Sequence, residues 1–279
     1  MIVEQHFNLF GYRATFRTNH PRAAELLAEL YTGASDGPAN GSANLYELYH
    51  RPESSPDSQW TLSVPGRPFH TESTFGDSMQ EIEACIAGDF GRCDHGLQTV
   101  HGALVYAPQG GILLTGFSGA GKTTLSLALA ARGLRVGGDD LALLDKSTAL
   151  LRPYPRCFHL DDRSLELLEA TGLRLPADAL RHQFVTPRDL GVTETPPVGV
   201  RFIFILEPQR LASPRIAPET QAQGVSFLLL QAGRVGSSDR DGVRLLARLA
   251  GSARCFRLWS GDLGATADAL LRAIDNNSH

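Results

Sequence analysis

The chain has 279 residues, of which 42% are hydrophobic and 20% charged, with a formal net charge of −4. That balance suits a soluble globular protein and lacks the basic footprint that a nucleic-acid partner calls for. No apolar stretch approaches the ~20 residues that span a bilayer. Met1–His6 also lacks the basic-then-apolar layout of a signal peptide, so the expected setting is the cytoplasm, with no membrane or nucleic-acid partner. The length allows one large domain or a main domain with a smaller companion. Cys85, Cys93, Cys157 and Cys255 form no C-x-x-C pair. Cys93-Asp94-His95 has no second ligand pair at a zinc-like spacing, so all four read as idle thiols in a reducing compartment.

In chain order, Phe7–Phe16 has strand-like content, and Ala23–Tyr31 has helical spacing with Pro21 near its first turn. Thr32–Asn44, rich in Gly, Ser, Ala and Asn, reads as a mobile loop. Leu45–Tyr49 and Trp60–Val64 are strands across a Pro/Ser-rich connection, and Met79–Ala87 is a helix. Thr99–Tyr106 is one strand of a hairpin that turns at Pro108–Gly111 and returns as Ile112–Thr115. So short a connection joins antiparallel neighbours only. Beyond it lie a helical run at Leu125–Ala131, a short strand at Gly133–Gly138 and an apolar run at Leu141–Leu144. Val198–Leu206 is a core strand, Gly224–Leu230, Arg240–Leu249 and Gly264–Ile274 are helices, and Cys255–Trp259 is a strand. The boundaries expected are a smaller α+β domain over residues 1–95 and a larger α/β domain over 96–279.

Gly116-Phe117-Ser118-Gly119-Ala120-Gly121-Lys122-Thr123 fits G-x-x-x-x-G-K-[ST], between an apolar strand and a helix. That context gives the motif its meaning. Glycines let successive backbone N–H groups close on a phosphate, and the helix N-terminus adds positive potential. Lys122 is placed for the β- and γ-phosphates and Thr123 for Mg²⁺, so the residues expected to cradle ATP are Gly116, Ser118, Gly119, Ala120, Gly121, Lys122, Thr123 and Thr124. Asp139-Asp140 closes a short strand about fifteen residues further on. One carboxylate could hold Mg²⁺ while the other accepts a proton from an attacking hydroxyl.

His101-Gly102, the hairpin, Gly116–Thr123, Arg132-Gly133 and Asp139-Asp140 together resemble the catalytic domain of bacterial HPr serine kinases and the wider HPr kinase-related group. The Thr-Thr-Leu-Ser ending of the loop is also similar to phosphoenolpyruvate carboxykinases. The likeness runs from about residue 95 to the C-terminus, with Pro153–Arg156 similar to a Pro-Arg-rich segment of the group. It implies a P-loop kinase domain with a mixed sheet. It also implies Lys122 on the transferring phosphate, Asp139 as the base that takes a seryl proton, His101 beside that Asp, and Asp140 with Thr123 on the metal. The acidic Arg-Gly-Leu-Gly-like signature of HPr kinases is absent; Glu166 and Asp161 occupy its region, and Arg156 and Arg188 are candidate phosphate contacts.

The expected function is an ATP- and Mg²⁺-dependent kinase whose acceptor is a serine hydroxyl of a protein or peptide, a ribosomal-peptide precursor among them. A small-molecule kinase of the same fold and a nucleotide-gated binding protein remain open, as does a homo-oligomer. Residues 1–95 are expected either to cover the nucleotide domain or to recognise the acceptor.

Overall fold

The computed structural model describes residues 1–31, 40–51, 59–67, 70–72, 74–93, 96–177, 183–233 and 240–277. The loop expected over Thr32–Asn44 lies outside these residues as far as 39, and so does the Asp94-His95 part of the zinc-like triplet. Contacts divide the chain into two units, Met1–His95 with Pro155–Cys157, and Gly96–Tyr154 with Phe158–His279. Both are mixtures of helix and sheet, with seven α-helices among the described residues.

The first unit holds β1 (Val3–Leu9), β2 (Tyr12–Thr18), α1 (Pro21–Tyr31), β3 (Asn40–His50), β4 (Trp60–Ser63), β5 (His70–Glu72) and α2 (Phe75–Arg92). Its sheet runs β1-β2-β3-β4-β5, with β2 and β3 parallel and the other pairs antiparallel. The single strand expected over Phe7–Phe16 is a hairpin instead. Phe10 and Gly11 both take positive φ, 49° and 94°, the backbone of a tight two-residue turn. Asn40–Asn44, expected in a loop, open β3 because β2 offers them a parallel edge. Thr74 caps α2 by accepting from the Asp77 N–H at 3.1 Å. Inside, the Tyr12 and Tyr46 hydroxyls lie 2.5 Å apart, and Tyr46 donates to Asp89.

The second unit adds β6 (Leu97–Val100), β7 (Gly102–Ala107), β8 (Gly110–Gly116), α3 (Lys122–Ala130), β9 (Arg135–Gly138), β10 (Ala142–Asp145), β11 (Leu151–Pro153), β12 (Phe158–His159) and α4 (Asp162–Glu169). The chain continues with β13 (Phe184–Val185), β14 (Val200–Glu207), β15 (Arg215–Glu219), α5 (Gln221–Gln231), α6 (Arg240–Gly251), β16 (Arg254–Trp259) and α7 (Leu263–Asp275). The main sheet has the order β15-β16-β14-β8-β7-β9. Its centre, β16-β14-β8, is parallel, while β7 runs antiparallel to β8 in a hairpin registered from Gly102↔Thr115 to Ala107↔Gly110. The sheet is thus mixed, with the antiparallel hairpin leading into the glycine loop.

The strand expected over Thr99–Tyr106 breaks at His101. Leu97–Val100 joins β10 and β11 in a separate three-stranded sheet, and Gly102–Ala107 stays with β8.

Strand alternation sends side chains to two cores. Ile112 and Leu114 of β8, with Phe202, Phe204 and Leu206 of β14, meet Leu125, Leu127 and Leu129 of α3 and Leu270 and Ile274 of α7. Leu113, Ile203 and Ile205 point the other way, to Leu228 of α5 and Leu245, Leu246 and Leu249 of α6. With both faces covered, the strands read as near-continuous apolar runs. Phe204 and Phe256 stack at 5.2 Å across neighbouring strands. The helix ends carry their own signals. Thr220 and Gln223 form a reciprocal capping box on α5, and Asp262 caps α7.

Candidate functional site

β8 delivers Gly116 to the end of the sheet, the loop 117–121 turns the chain, and α3 begins at Lys122. Two glycines are dictated by this path. A Cβ on Gly116 would lie 2.8 Å from the Leu206 carbonyl oxygen of β14 and 3.2 Å from the Cβ of Ala120, so only hydrogen fits there. Gly121, at φ 91°, has open space around it, and its constraint is the left-handed backbone that starts α3.

Lys122 is 6% exposed. Its Nζ donates to the carbonyls of Gly116 at 2.9 Å and Phe117 at 3.2 Å. Burial lowers its pKa below the ordinary lysine value, while the carboxylates of Asp140 and Asp139 pull it back up. An ammonium held this way, next to exposed Ser118, Gly119 and Gly121, is poised for an incoming anion. Thr123, the second helical residue, donates through Oγ1 to Asp139 Oδ2 at 2.5 Å. Thr124 Oγ1 lies 3.2 Å from Ser164 Oγ near the start of α4.

Asp139 and Asp140 follow β9 directly, and the structure separates them. Asp139 is buried, at 4% exposure, and faces Thr123. Asp140 takes φ 63°, in the left-handed region, while the Leu141 N–H reaches back to the Asp139 carbonyl at 2.6 Å. A two-residue hydrogen bond around a positive φ is the rarer, strained form of γ-turn. Asp tolerates this backbone better than most residues, and such strain gathers at functional sites. His101, in the break between β6 and β7, places Nδ1 2.7 Å from the Asp140 carbonyl oxygen and 3.1 Å from its Oδ1. A carbonyl oxygen only accepts, so Nδ1 is the protonated nitrogen and Nε2 the basic one in the neutral ring. The same carbonyl accepts the Gly102 N–H at 3.2 Å, and Thr115 Oγ1 donates to the His101 carbonyl at 2.9 Å.

Lys122, Thr123, Asp139, Asp140 and His101 are therefore gathered by the ends of β8, α3, β9 and β7. His101 lies against Asp140, and Asp139 accepts from Thr123. Arg156 belongs to the first unit, where its Nε lies 3.6 Å from the fully buried Glu83. Asp161 caps α4 by accepting from the Ser164 N–H, Glu166 is exposed on α4, and Arg188 is exposed on a short 3-10 turn, Arg188–Leu190.

Sequence reasoning missed the tie between the His101 N–H and the Gln231 carbonyl at the end of α5, at 2.8 Å, and the Thr124–Ser164 pair. Neither has a motif, because each joins residues far apart in sequence.

Donors for a divalent cation are present in Thr123 Oγ1 and the carboxylate of Asp139. Among the described residues, no group of three or more His, Cys, Asp or Glu side chains is placed to hold a metal by itself. The set therefore fits an ion completed by phosphate oxygens and water, as Mg²⁺ commonly is. The four cysteines are unpaired with one another. Burial raises the thiols of Cys85 and Cys255 to about 11 and Cys157 well above its ordinary value, which disfavours the thiolate. No helix among the described residues is long and apolar enough to cross a membrane.

No protein-family model matches the chain. No curated protein matches it either. Among solved structures it is similar to the HPr(Ser) kinase/phosphatase from Coxiella burnetii, at 18% identity over 64% of this chain and 97% of that one, with a TM-score of 0.31. At that TM-score the likeness is too remote to assign a fold or an activity.

Proposed function

We propose that this chain is an ATP- and Mg²⁺-dependent phosphotransferase whose acceptor is a hydroxyl, foremost a serine of a protein or peptide. The observation that carries the reading is the meeting of three things at one sheet end. They are a buried lysine inside a glycine loop, a Thr123–Asp139 pair beside it, and a second carboxylate, Asp140, held against a histidine. A lone glycine loop would bind an anion; the flanking carboxylates add groups that can hold a metal ion and take the proton of an acceptor hydroxyl.

Backbone N–H groups of residues 117–123 and the Lys122 ammonium would hold the β- and γ-phosphates. Thr123 Oγ1 and Asp139 would hold Mg²⁺, which when bound neutralises charge on the phosphate oxygens. Asp140 is the group that takes the proton of the acceptor hydroxyl, and His101 is its positioning partner. In the transfer, the acceptor oxygen bonds to the γ-phosphorus, the bond from that phosphorus to the β–γ bridging oxygen breaks, the hydroxyl proton goes to Asp140, and ADP leaves. Lys122 and the loop N–H groups favour the charge that develops on the transferring group and the leaving ADP.

The test is phosphate transfer from Mg-ATP to serine peptides and to free serine, followed by mass spectrometry and run beside Asp140→Asn. Transfer lost in the variant, with nucleotide binding kept, supports the reading. ATP binding with no transfer to any acceptor would leave a nucleotide-gated binding protein in its place.

A further inference from the structure

The glycine loop carries an aromatic residue that the phosphate chemistry does not use. Phe117 gives its carbonyl to Lys122, yet its side chain is 52% exposed. Its ring meets Phe227 of α5 edge-on, with centroids 5.5 Å apart. One helical turn on, Leu230 is 69% exposed. Apart from Met1 and Ile2, Phe117 and Leu230 are the exposed large hydrophobics among the described residues. Phe117 lies within the loop, and Leu230 precedes Gln231, the last residue of α5, whose carbonyl holds the backbone of His101.

We propose that Phe117, Phe227 and Leu230 form an apolar shelf that selects the acceptor, and that the acceptor is a peptide segment with a large apolar side chain next to its phosphorylated hydroxyl. The inference rests on the phosphotransfer reading and narrows its substrate class. Position decides the occupant: Phe117 lies in the glycine loop, and α5 ends on the carbonyl that holds the His101 backbone, so what covers these side chains lies beside the transferring phosphate. They match one or two side chains of a substrate. A free polar metabolite such as serine leaves them uncovered.

The experiment uses the full chain, Mg-ATP, and a library of serine-centred peptides in which each flanking position is varied in turn. The expected result is a preference of about tenfold or more for Leu, Ile, Met or Phe over Ala at one flanking position, equivalent to ~1.4 kcal/mol. It should be expressed mainly in KM. Leu230→Gln and Phe117→Ser should each cut that preference to below about threefold. Leu230 is exposed, so its variant keeps its fold, which thermal melting and nucleotide titration verify. A flat or polar preference in the unmodified protein, or an apolar preference that survives both variants, overturns the shelf. Phosphorylation of free serine but of no peptide overturns it while leaving the phosphotransfer reading intact. Transfer to neither defeats that reading and the shelf with it.

Discussion

At the scale of single residues, the two adjacent aspartates have different neighbours, Thr123 for Asp139 and His101 for Asp140. Asp140→Asn keeps both the shape and the tolerance of positive φ, so its effect isolates the carboxylate. Transfer should fall by about 10²- to 10⁴-fold, the usual worth of a placed acid–base group, with nucleotide affinity changed by less than about threefold. Single-turnover kinetics and a fluorescent-nucleotide titration read the two separately. Asp139→Asn should instead raise the Mg²⁺ concentration needed for half-maximal activity, since its partner is Thr123. Equal magnesium dependence in both variants would contradict the division of roles. Lys122 makes a pH prediction. Burial lowers its pKa, so the charged form is disfavoured in the folded protein. Its contribution to nucleotide affinity is present below that lowered pKa and fades as pH rises through it, short of the ordinary lysine range. The sign for folding is opposite: the folded state loses its proton first, so stability rises between the lowered folded pKa and the unfolded one. Lys122→Met should therefore weaken nucleotide binding and remove its alkaline fall-off, read by nucleotide titrations across pH.

At the scale of elements, the site is built where β8 turns into α3 and where β9 turns back at Asp140. Gly116→Ala tests the first junction. Its added Cβ would sit 2.8 Å from the Leu206 carbonyl oxygen and push β8 from β14, at a cost of about 1–3 kcal/mol in urea unfolding. A variant as stable as the parent would show that the strands have slack there. Much of this level is legible in the sequence, because local signals specify it. Alternation and the Pro108–Gly111 turn mark the hairpin, and the apolar run Val198–Leu206 marks β14. Other features depend on partners distant in the chain. Leu97–Val100 leaves the hairpin sheet because β10 offers it an antiparallel edge, and no residue near His101 advertises the break. Asn40–Asn44 have turn-like composition and still pair along β2. The pairing of His101 with Asp140 follows from the left-handed turn, which an Asp-Asp sequence permits without requiring.

At the scale of the whole molecule, the sequence boundary near residue 95 misses one crossing of the chain. Pro155–Cys157 leaves the second unit and joins the first, where the fully buried Glu83 accepts from the Cys157 N–H at 3.2 Å and pairs with Arg156. Removing Glu83 alone, as Glu83→Ala, takes a carboxylate from the buried Arg156 and an acceptor from the Cys157 N–H and should cost about 3–5 kcal/mol. Replacing both members, as Glu83→Leu with Arg156→Met, should restore most of it. Chemical unfolding midpoints of the four proteins in this cycle decide the matter, and additive losses would mean that the two residues act independently. A fragment beginning at residue 96 would carry Arg156 without its carboxylate, so activity is best sought in the full chain. The most direct measurement there is single-turnover transfer of phosphate from Mg-ATP to a serine peptide by the parent protein and Asp140→Asn at matched nucleotide saturation. A phosphoserine product is expected from the parent, with at least a hundredfold slower formation by the variant. Equal rates in the two proteins, or tight ATP binding with no phosphorylated product from any acceptor, would contradict it.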